Sequence, residues 1–108
     1  MKNRITTHFY VKEARKDIKG FAPIYLRITV NGQRGEISTN RKITPSWWDK
    51  SSERAGGRSE TARTMNSFLD ALVAKVGKYF SSLDVLDNTI TASQIITELK
   101  GIFKPLFP

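Results

Sequence analysis

The side chains best suited to binding another molecule alternate along residues 22–40, APIYLRITVNGQRGEISTN. Tyr25, Arg27 and Thr29 occupy every second position, and every second side chain of a β-strand lies on the same face of its sheet. An arginine guanidinium can donate two hydrogen bonds to guanine, and hydroxyl or apolar groups can contact other base edges. This spacing therefore predicts a surface able to bind a nucleic acid.

Catalytic chemistry is not indicated in the 108 residues. His8 is the only histidine and cysteine is absent, so the sequence contains neither a zinc-binding cluster nor a disulfide. The acidic residues are scattered, without the carboxylate pairs of glycosidases or two-metal nucleases. No glycine-rich phosphate loop is present. We expect no enzymatic activity, no cofactor, no metal and no small-molecule substrate.

The excess of positive charge lies in the first half of the chain. Residues 1–58 hold 13 Lys and Arg against 5 Asp and Glu, a net charge of +8, whereas residues 59–108 hold 5 of each. Such confinement is typical of a polyanion-binding surface, and a merely solubilising surface is the alternative. Because no apolar run could span a bilayer and the start has no signal-like segment, we expect no membrane partner. The absence of cysteine makes a reducing cytoplasm the expected location.

Residues 22–40 are predicted to form a β-hairpin around Asn31 and Gly32, because both central residues of a type I′ turn need a positive φ. The loop length fixes the cross-strand pairs, which should be Thr29–Arg34, Arg27–Glu36, Tyr25–Ser38, Leu26–Ile37 and Ile24–Thr39. The opposite face of the first of these strands should be buried, and it comprises Ile24, Leu26, Ile28 and Val30.

A further strand is predicted over residues 4–12, RITTHFYVK, which are rich in β-branched and aromatic types. If Phe9 is buried, Tyr10 and Lys12 share the polar face of the hairpin. The expected sheet therefore has three antiparallel strands over about residues 4–40, and its apolar face needs a cover.

Two segments outside the strands carry residues with competing interpretations. The basic loop after the first strand contains Arg15, Lys16 and Lys19, which either clamp phosphates or form a solvated run of charge. After the hairpin, Trp48 is predicted to plug the edge of the core, whereas Trp47 could be buried or could stack on bases.

Two helices are predicted to supply the cover. The first spans about residues 59–83 with Ser59 as its N-cap, and its apolar stripe comprises Met65, Phe68, Leu69, Leu72, Val76 and Phe80. The second spans about residues 91–100, where Thr91 and Gln94 form a capping-box pattern. It should dock on the first helix, and Gly101 should end it.

These elements predict one α+β domain over residues 1–101. Its architecture would be a three-stranded antiparallel β-sheet packed on a long α-helix, with a second short helix at the C-terminal end. Residues 102–108, which carry two prolines, are predicted to be a linker toward a region that this chain lacks.

The order of these motifs resembles the N-terminal arm-type DNA-binding domain of tyrosine recombinases, particularly the integrases of bacterial conjugative transposons and related mobile elements. The resemblance spans residues 5–101 and is carried by HFYVK, GFAPIYLRITVNGQRGEISTNRKITPSWWD, MNSFLDALVAKV and TASQIITELKG. It implies a sheet that lies in the major groove of arm-site DNA. It also implies a separate catalytic domain, so none of Tyr10, Tyr25 and Tyr79 is expected to be the recombinase nucleophile.

The polar face and the resemblance together give a set of candidate DNA contacts. Arg27 and Arg34 would bind guanine, and Asn40 would bind adenine. Tyr25 and Thr29 would make apolar or hydroxyl contacts. The other candidates, of which all but Ser38 would hold phosphates, are Tyr10, Lys12, Lys16, Lys19, Ser38, Arg41 and Lys42. Glu36 also falls on this face, where phosphates would repel it; it could orient Arg27 or accept a hydrogen bond from cytosine.

Two other kinds of partner remain open at this point. Exposed aromatic residues on a sheet would also suit stacked single-stranded bases, as in an RNA-binding or ribosome-associated module. A protein-interaction domain would instead use Trp47 and the apolar tail FKPLF. If duplex DNA is the partner, other integrase protomers are expected to associate through the parent protein.

Overall fold

The computed structural model describes residues 3–86 and 89–102 and shows the predicted α+β fold. The elements are β1 Ile5–Val11, β2 Ala22–Val30, β3 Gln33–Ile43, β4 Trp48–Asp49, β5 Arg54–Ala55, α1 Glu60–Asp84 and α2 Ala92–Ile102. The first three strands form an antiparallel sheet in the order β1-β2-β3, and β4 pairs with β5 in a separate small hairpin. Short 3₁₀ turns at Glu13–Arg15 and Pro45–Trp47 follow β1 and β3.

The hairpin of β2 and β3 turns at Asn31 and Gly32, which adopt φ values of 51° and 84°. Both residues therefore occupy the left-handed region that a type I′ turn requires. The register confirms four of the predicted pairs, namely Thr29–Arg34, Arg27–Glu36, Tyr25–Ser38 and Leu26–Ile37.

The predicted pair Ile24–Thr39 is wrong, because a bulge interrupts β3. Pairing resumes at Pro23–Lys42, so three residues of β3 face the single residue Ile24 of β2. Asn40 takes a φ of 60° within the bulge, a conformation that asparagine tolerates better than most residues. The buried Thr39 hydroxyl donates to the Ile24 carbonyl over 2.8 Å, which replaces the interrupted ladder. Beyond the bulge β3 continues to residue 43, three residues past the predicted end of the sheet.

The apolar face of the sheet is sealed by the two helices. The four inward residues of β2 and Phe9 of β1 are buried, as predicted, and form one core with α1 and α2. Of the predicted stripe on α1, Leu69, Leu72 and Val76 are fully buried, and the other three residues pack around them. Burial of such side chains is the largest favourable term in folding, at about 1.5–3 kcal/mol each.

The second helix makes more contacts than the sequence predicts. It packs on α1 as expected, but it also lies directly against β2 and β3. Gly35 of β3 permits this approach, since a Cβ built on it would lie 2.5 Å from Ile96 Cδ1 of α2. Gly101 does not end the helix, which continues to residue 102 because a helical glycine costs only about 1 kcal/mol.

Both helices begin at the predicted caps. The Ser59 hydroxyl accepts from the Ala62 N–H over 3.1 Å. Thr91 and Gln94 form a capping box, in which the Thr91 N–H donates to the Gln94 side chain and the Gln94 N–H donates to the Thr91 hydroxyl. Residues 103–108, most of the predicted linker, lie outside the described residues.

The two adjacent tryptophans, Trp47 at the end of the 3₁₀ turn and Trp48 at the start of β4, lie in different environments. Trp48 is buried at 9% exposure and joins the core, as predicted, whereas Trp47 is 64% exposed. Asn66 of α1 fixes the small hairpin of β4 and β5, since its side chain accepts from the Ala55 N–H over 2.8 Å and donates to the Ala55 carbonyl over 3.0 Å. The Asn66 side chain thus links the β4–β5 hairpin, which closes the edge of the core, to the long helix α1.

Replacing Asn66 with Ala should lower the free energy of unfolding by about 1–3 kcal/mol, because it leaves both backbone groups of the buried Ala55 without partners. The measurement is urea denaturation followed by circular dichroism. Ser67→Ala, at the exposed neighbouring position on α1, is the matched control and should change the midpoint little. Equal midpoints for the Asn66→Ala variant and the wild type would show that the hairpin is held by other contacts.

Candidate nucleic-acid interface

The side chains opposite the core form an ordered grid, which we call the polar face. Its three rows follow from the strand register and comprise Thr6–Thr29–Arg34, His8–Arg27–Glu36 and Tyr10–Tyr25–Ser38. The residues of β2 between these rows are fully buried, so the polar face is the outward side of the central strand. The predicted candidates Tyr10, Tyr25, Arg27, Thr29, Arg34 and Ser38 are thus brought together on one surface.

Two tyrosines and three cations form a contiguous cluster on the polar face. The rings of Tyr10 and Tyr25 lie 6.2 Å apart between centroids. Lys12 Nζ lies 3.8 Å from the Tyr25 ring centroid, and the Arg27 guanidinium carbon lies 4.7 Å from that of Tyr10. On the other side of Tyr25, Arg15 Nη1 donates to the phenol oxygen over 2.9 Å. Each cation–π contact contributes about 0.5–1 kcal/mol at an exposed site and limits the positions open to the cation.

Glu36 lies at the centre of this cluster and is held by two donors. Lys12 Nζ donates to Glu36 Oε1 over 2.7 Å, and the Tyr10 hydroxyl donates to Glu36 Oε2. The hydrogen bond from Lys12, followed by that from Tyr10, lowers the pKa of Glu36 from its ordinary value. The same bond to Glu36 raises the pKa of Lys12. Glu36 is therefore an anion and Lys12 a cation at neutral pH.

Burial and Glu36 also act on the phenol of Tyr10. Partial desolvation is the main cause of the raised pKa of Tyr10, and the hydrogen bond to Glu36 adds to it. The hydroxyl therefore stays protonated at neutral pH and remains a hydrogen-bond donor.

Arg34 occupies one corner of the polar face and is exposed. Its guanidinium makes no hydrogen bond or ion pair with any of the residues that the structure describes. Beside it, Thr29 is half-buried on the central strand. This corner therefore presents unsatisfied donors that a ligand could engage.

The basic loop between β1 and β2 is shaped by a carboxylate. Asp17 Oδ1 accepts from the N–H groups of Lys19 and Phe21, each over 3.0 Å, and Asp17 Oδ2 lies 3.3 Å from Lys42 Nζ on β3. The Phe21 N–H is the main cause of the lowered pKa of Asp17. Lys16 and Lys19 stay exposed on this loop, while Lys42 is held against it.

The last two candidates, Asn40 and Arg41, lie within the bulge. Asn40 is exposed, and its N–H donates to the Ser38 hydroxyl over 3.2 Å. The Arg41 guanidinium carbon lies 4.0 Å from the ring centroid of Phe68 on α1, so this side chain points to the helical side of the sheet. The structure therefore does not bring Arg41 together with the polar face.

The carboxylate of Glu53 binds the outer edge of the sheet, at β1. Glu53, whose φ is 57°, accepts from the Phe9 N–H over 3.1 Å, and its other oxygen lies 2.9 Å from His8 Nδ1. An unpaired strand edge invites pairing with another chain, and this contact occupies one of its free N–H groups.

The comparison with known families gives a match over residues 9–96, most of the described fold. The chain belongs to the Arm DNA-binding domain family. No curated protein and no solved structure matches it. Membership shows that this is a DNA-binding domain of the kind found at the N-termini of tyrosine recombinases and integrases, a domain type without catalytic function.

Neither a cluster of metal ligands nor a membrane-spanning helix is found in the part of this Arm DNA-binding domain that the structure describes. In residues 3–86 and 89–102, no three His, Asp or Glu side chains lie close enough to hold a metal ion. Neither described helix has the length and apolar character needed to cross a bilayer.

For two residues of the domain's polar surface, Arg15 and Glu36, the sequence does not predict the contacts that the structure shows. Arg15 reaches Tyr25 only because the 3₁₀ turn Glu13–Arg15 folds the loop back on the sheet. No periodicity in the sequence signals such a turn. Glu36 was signalled by strand alternation, but its bonds to Lys12 and Tyr10 depend on the pairing of β1 with β2, which no hairpin turn fixes.

Replacing Asp17 with Asn should lower the stability of the domain at neutral pH, because the charged carboxylate accepts from two backbone N–H groups and pairs with Lys42 more strongly than a neutral amide would. The pKa of Asp17 is lower in the folded state than its unfolded value of about 3.9, so its charge stabilises the fold at neutral pH. This stabilisation is lost as the pH falls through the folded pKa. The difference in urea midpoint between wild type and variant should therefore narrow as the pH is lowered from about 7 to about 3.

The control for this titration is Glu98→Gln, which changes an exposed carboxylate of α2 that has no hydrogen bond to a described residue. Its effect on the midpoint should be small throughout the pH range. An Asp17→Asn effect that persists unchanged in acid would mean that the charge of Asp17 contributes nothing and that only the shape of the loop matters.

Proposed function

We propose that this Arm DNA-binding domain binds arm-type sites in duplex DNA sequence-specifically, with the polar face placed in the major groove. The observation that carries the proposal is the pair of guanidinium groups in adjacent rows of that face, Arg27 on β2 and Arg34 on β3. Arg34 has no competing partner among the described residues. Arg27 lies over the ring of Tyr10 and interacts with the Tyr10 hydroxyl and with the charge of Glu36, which hold it on this face. Arginine bidentate to guanine is the commonest specific contact between proteins and DNA.

The dimensions of the polar face are compatible with the groove. Neighbouring strands lie about 4.8 Å apart, so three strands span about 10 Å between the outer backbones. The major groove of B-DNA is about 12 Å wide. Side chains of the central strand and of the adjoining part of β3 would then point at base edges, while β1, the end of β3 and the loops would face the two phosphate backbones.

The contacts fall into two classes in this arrangement. Arg27, Arg34 and Thr29 would contact bases, with Tyr25 making apolar contacts beside them. Phosphates would be held by cations around the rim, which are Lys12, Arg15, Lys16, Lys19 and Lys42. The Tyr10 hydroxyl, predicted as a further phosphate contact, donates its one proton to Glu36 and would not take part. Asn40, at the exposed turn of the bulge, would contact an adenine at the end of the site. Arg41 would act only where the DNA backbone bends toward α1.

The parent protein would be a tyrosine recombinase of a mobile element, and the domain would tether it to arm sites away from the crossover point. Such tethering raises the local concentration of the attached catalytic region at its target by linkage alone. The location that follows is the bacterial nucleoid.

Replacing Arg27 with Ala should weaken binding to the preferred duplex by about 1–3 kcal/mol and relax base preference at one position. The duplex is obtained by selection from a random library with the wild-type domain, and affinity is measured by fluorescence anisotropy. Arg63→Ala removes a cation from the exposed side of α1 and is the matched control, which should lower affinity far less.

Parallel titrations with duplex RNA and with single strands separate this proposal from the RNA-binding alternative. Preference for either of them over duplex DNA, or wild-type affinity and selectivity in Arg27→Ala, would contradict major-groove recognition by the polar face. Binding that hardly changes with salt would instead favour a protein partner, since phosphate contacts predict a steep loss.

Replacing Lys16 and Lys19 together with Ala should reduce affinity equally for preferred and unrelated duplexes, because both lysines would neutralise phosphates. The slope of log affinity against log salt should become shallower by about 2, one for each lost contact. Lys75→Ala combined with Lys78→Ala removes the same charge from the exposed side of α1 and should leave the slope nearly unchanged. Equal slopes for the two double variants would show that the loop acts only through net charge.

A further inference from the structure

A carboxylate at the centre of a DNA-binding face calls for a physical reason. Glu36 is an anion, and phosphates would repel it. On β3 it lies directly across from Arg27 and two residues from Arg34, on the same face. These three side chains and Gly35 line a surface cavity of about 260 Å³. A base edge that entered this cavity would meet two cationic donors and one anionic acceptor.

The bonds within the protein do not exhaust the capacity of Glu36. A carboxylate has about four acceptor positions, and Lys12 and Tyr10 occupy one on each oxygen. The side chain is 39% exposed. The two bonds fix the carboxylate and neutralise part of its charge, while positions on both oxygens remain free to accept from a ligand.

The chemistry of base edges selects what such an acceptor can bind. In the major groove, guanine and thymine present acceptors, which a carboxylate repels. Adenine presents an amino group beside the N7 acceptor, so a carboxylate would accept a hydrogen bond from the amino group but would be repelled by N7. Cytosine presents its N4 amino group without a neighbouring acceptor, and its guanine partner presents N7 and O6 to an arginine.

We propose that Glu36 forms a subsite for the N4 amino group of cytosine, next to the guanine subsite formed by Arg27 and Arg34. This inference depends on the proposed function, namely that the polar face lies in the major groove. Together the cross-strand pair Arg27 and Glu36 would recognise both bases of a G·C pair, or a guanine and a cytosine in adjacent pairs. Tyr10 and Lys12 act as positioning residues, because they hold the carboxylate in place.

The test is selection from a random duplex library with wild type, Glu36→Gln and Glu98→Gln domains, followed by affinity measurements on single-base variants of the selected site. Glutamine keeps the shape but can both donate and accept, so Glu36→Gln should lose discrimination for cytosine at one position by about 5- to 150-fold. Preferences elsewhere in the site should be kept. Glu98→Gln makes the same change in net charge on the far side of the fold, so it shows what the charge alone does.

A second variant, Lys12→Met, separates contact from positioning. It removes one of the two bonds that position Glu36 but leaves the carboxylate as an acceptor, so affinity should fall for all duplexes and the cytosine preference should weaken by less than in Glu36→Gln. Thermal unfolding of every variant verifies that the domain is folded.

The outcomes distinguish this inference from the proposed function. If the wild type selects no duplex, the proposed function fails and the subsite fails with it. If the wild type selects a site and Glu36→Gln keeps the same cytosine preference, only the subsite is overturned. A loss of preference spread equally over all positions in Glu36→Gln would also overturn it, because Glu36 would then act only through Tyr10 and Lys12.

Discussion

The burial of one face of the central strand, and not the other, is the constraint on which the rest of this structure depends. Five residues of β2, at every second position from Ala22 to Val30, are buried to within 1% exposure, so the opposite side chains must face outward. A slip of one residue in its pairing would place Tyr25 and Arg27 in the core and expose the isoleucines. The energy that seals the core therefore also determines which side chains can reach DNA.

On the polar face, contacts with aromatic rings and with an opposite charge, rather than burial, hold the charged side chains in place. Lys12 contacts both the Tyr25 ring and the carboxylate of Glu36, and Arg27 lies over the ring of Tyr10. Isolated exposed ion pairs contribute little to stability, about 0–1 kcal/mol. Their effect here is to reduce the conformational freedom of long side chains before binding, which lowers the entropic cost of ordering them against DNA. Arg34, without such partners, is the exception and would be ordered on binding.

How far the sequence predicts this fold depends on which interactions are local. The turn at Asn31 and Gly32 and the capping box at Thr91 involve residues within a few positions of each other, and both were predictable. The bulge at Asn40 was not, because nothing in the alternation marks a residue that leaves the strand conformation. The packing of α2 on Gly35 joins segments about sixty residues apart, and a missing Cβ matters only once the partner is known.

In the candidate site as well, the bulge separates the residues whose placement alternation predicts from those whose placement it does not. Before the bulge, alternation places Arg34, Glu36 and Ser38 on one face, as the sequence predicts. Within the bulge, Thr39 is buried and Arg41 packs on Phe68. The two additional residues keep Ile43, after the bulge, on the buried side of β3. Because pairing resumes after the bulge, at Pro23–Lys42, β3 brings Lys42 into contact with Asp17 of the basic loop. The bulge thus ties the end of β3 to the segment carrying Lys16 and Lys19, so the cations proposed to hold phosphates are positioned by the same strand that carries the base contacts.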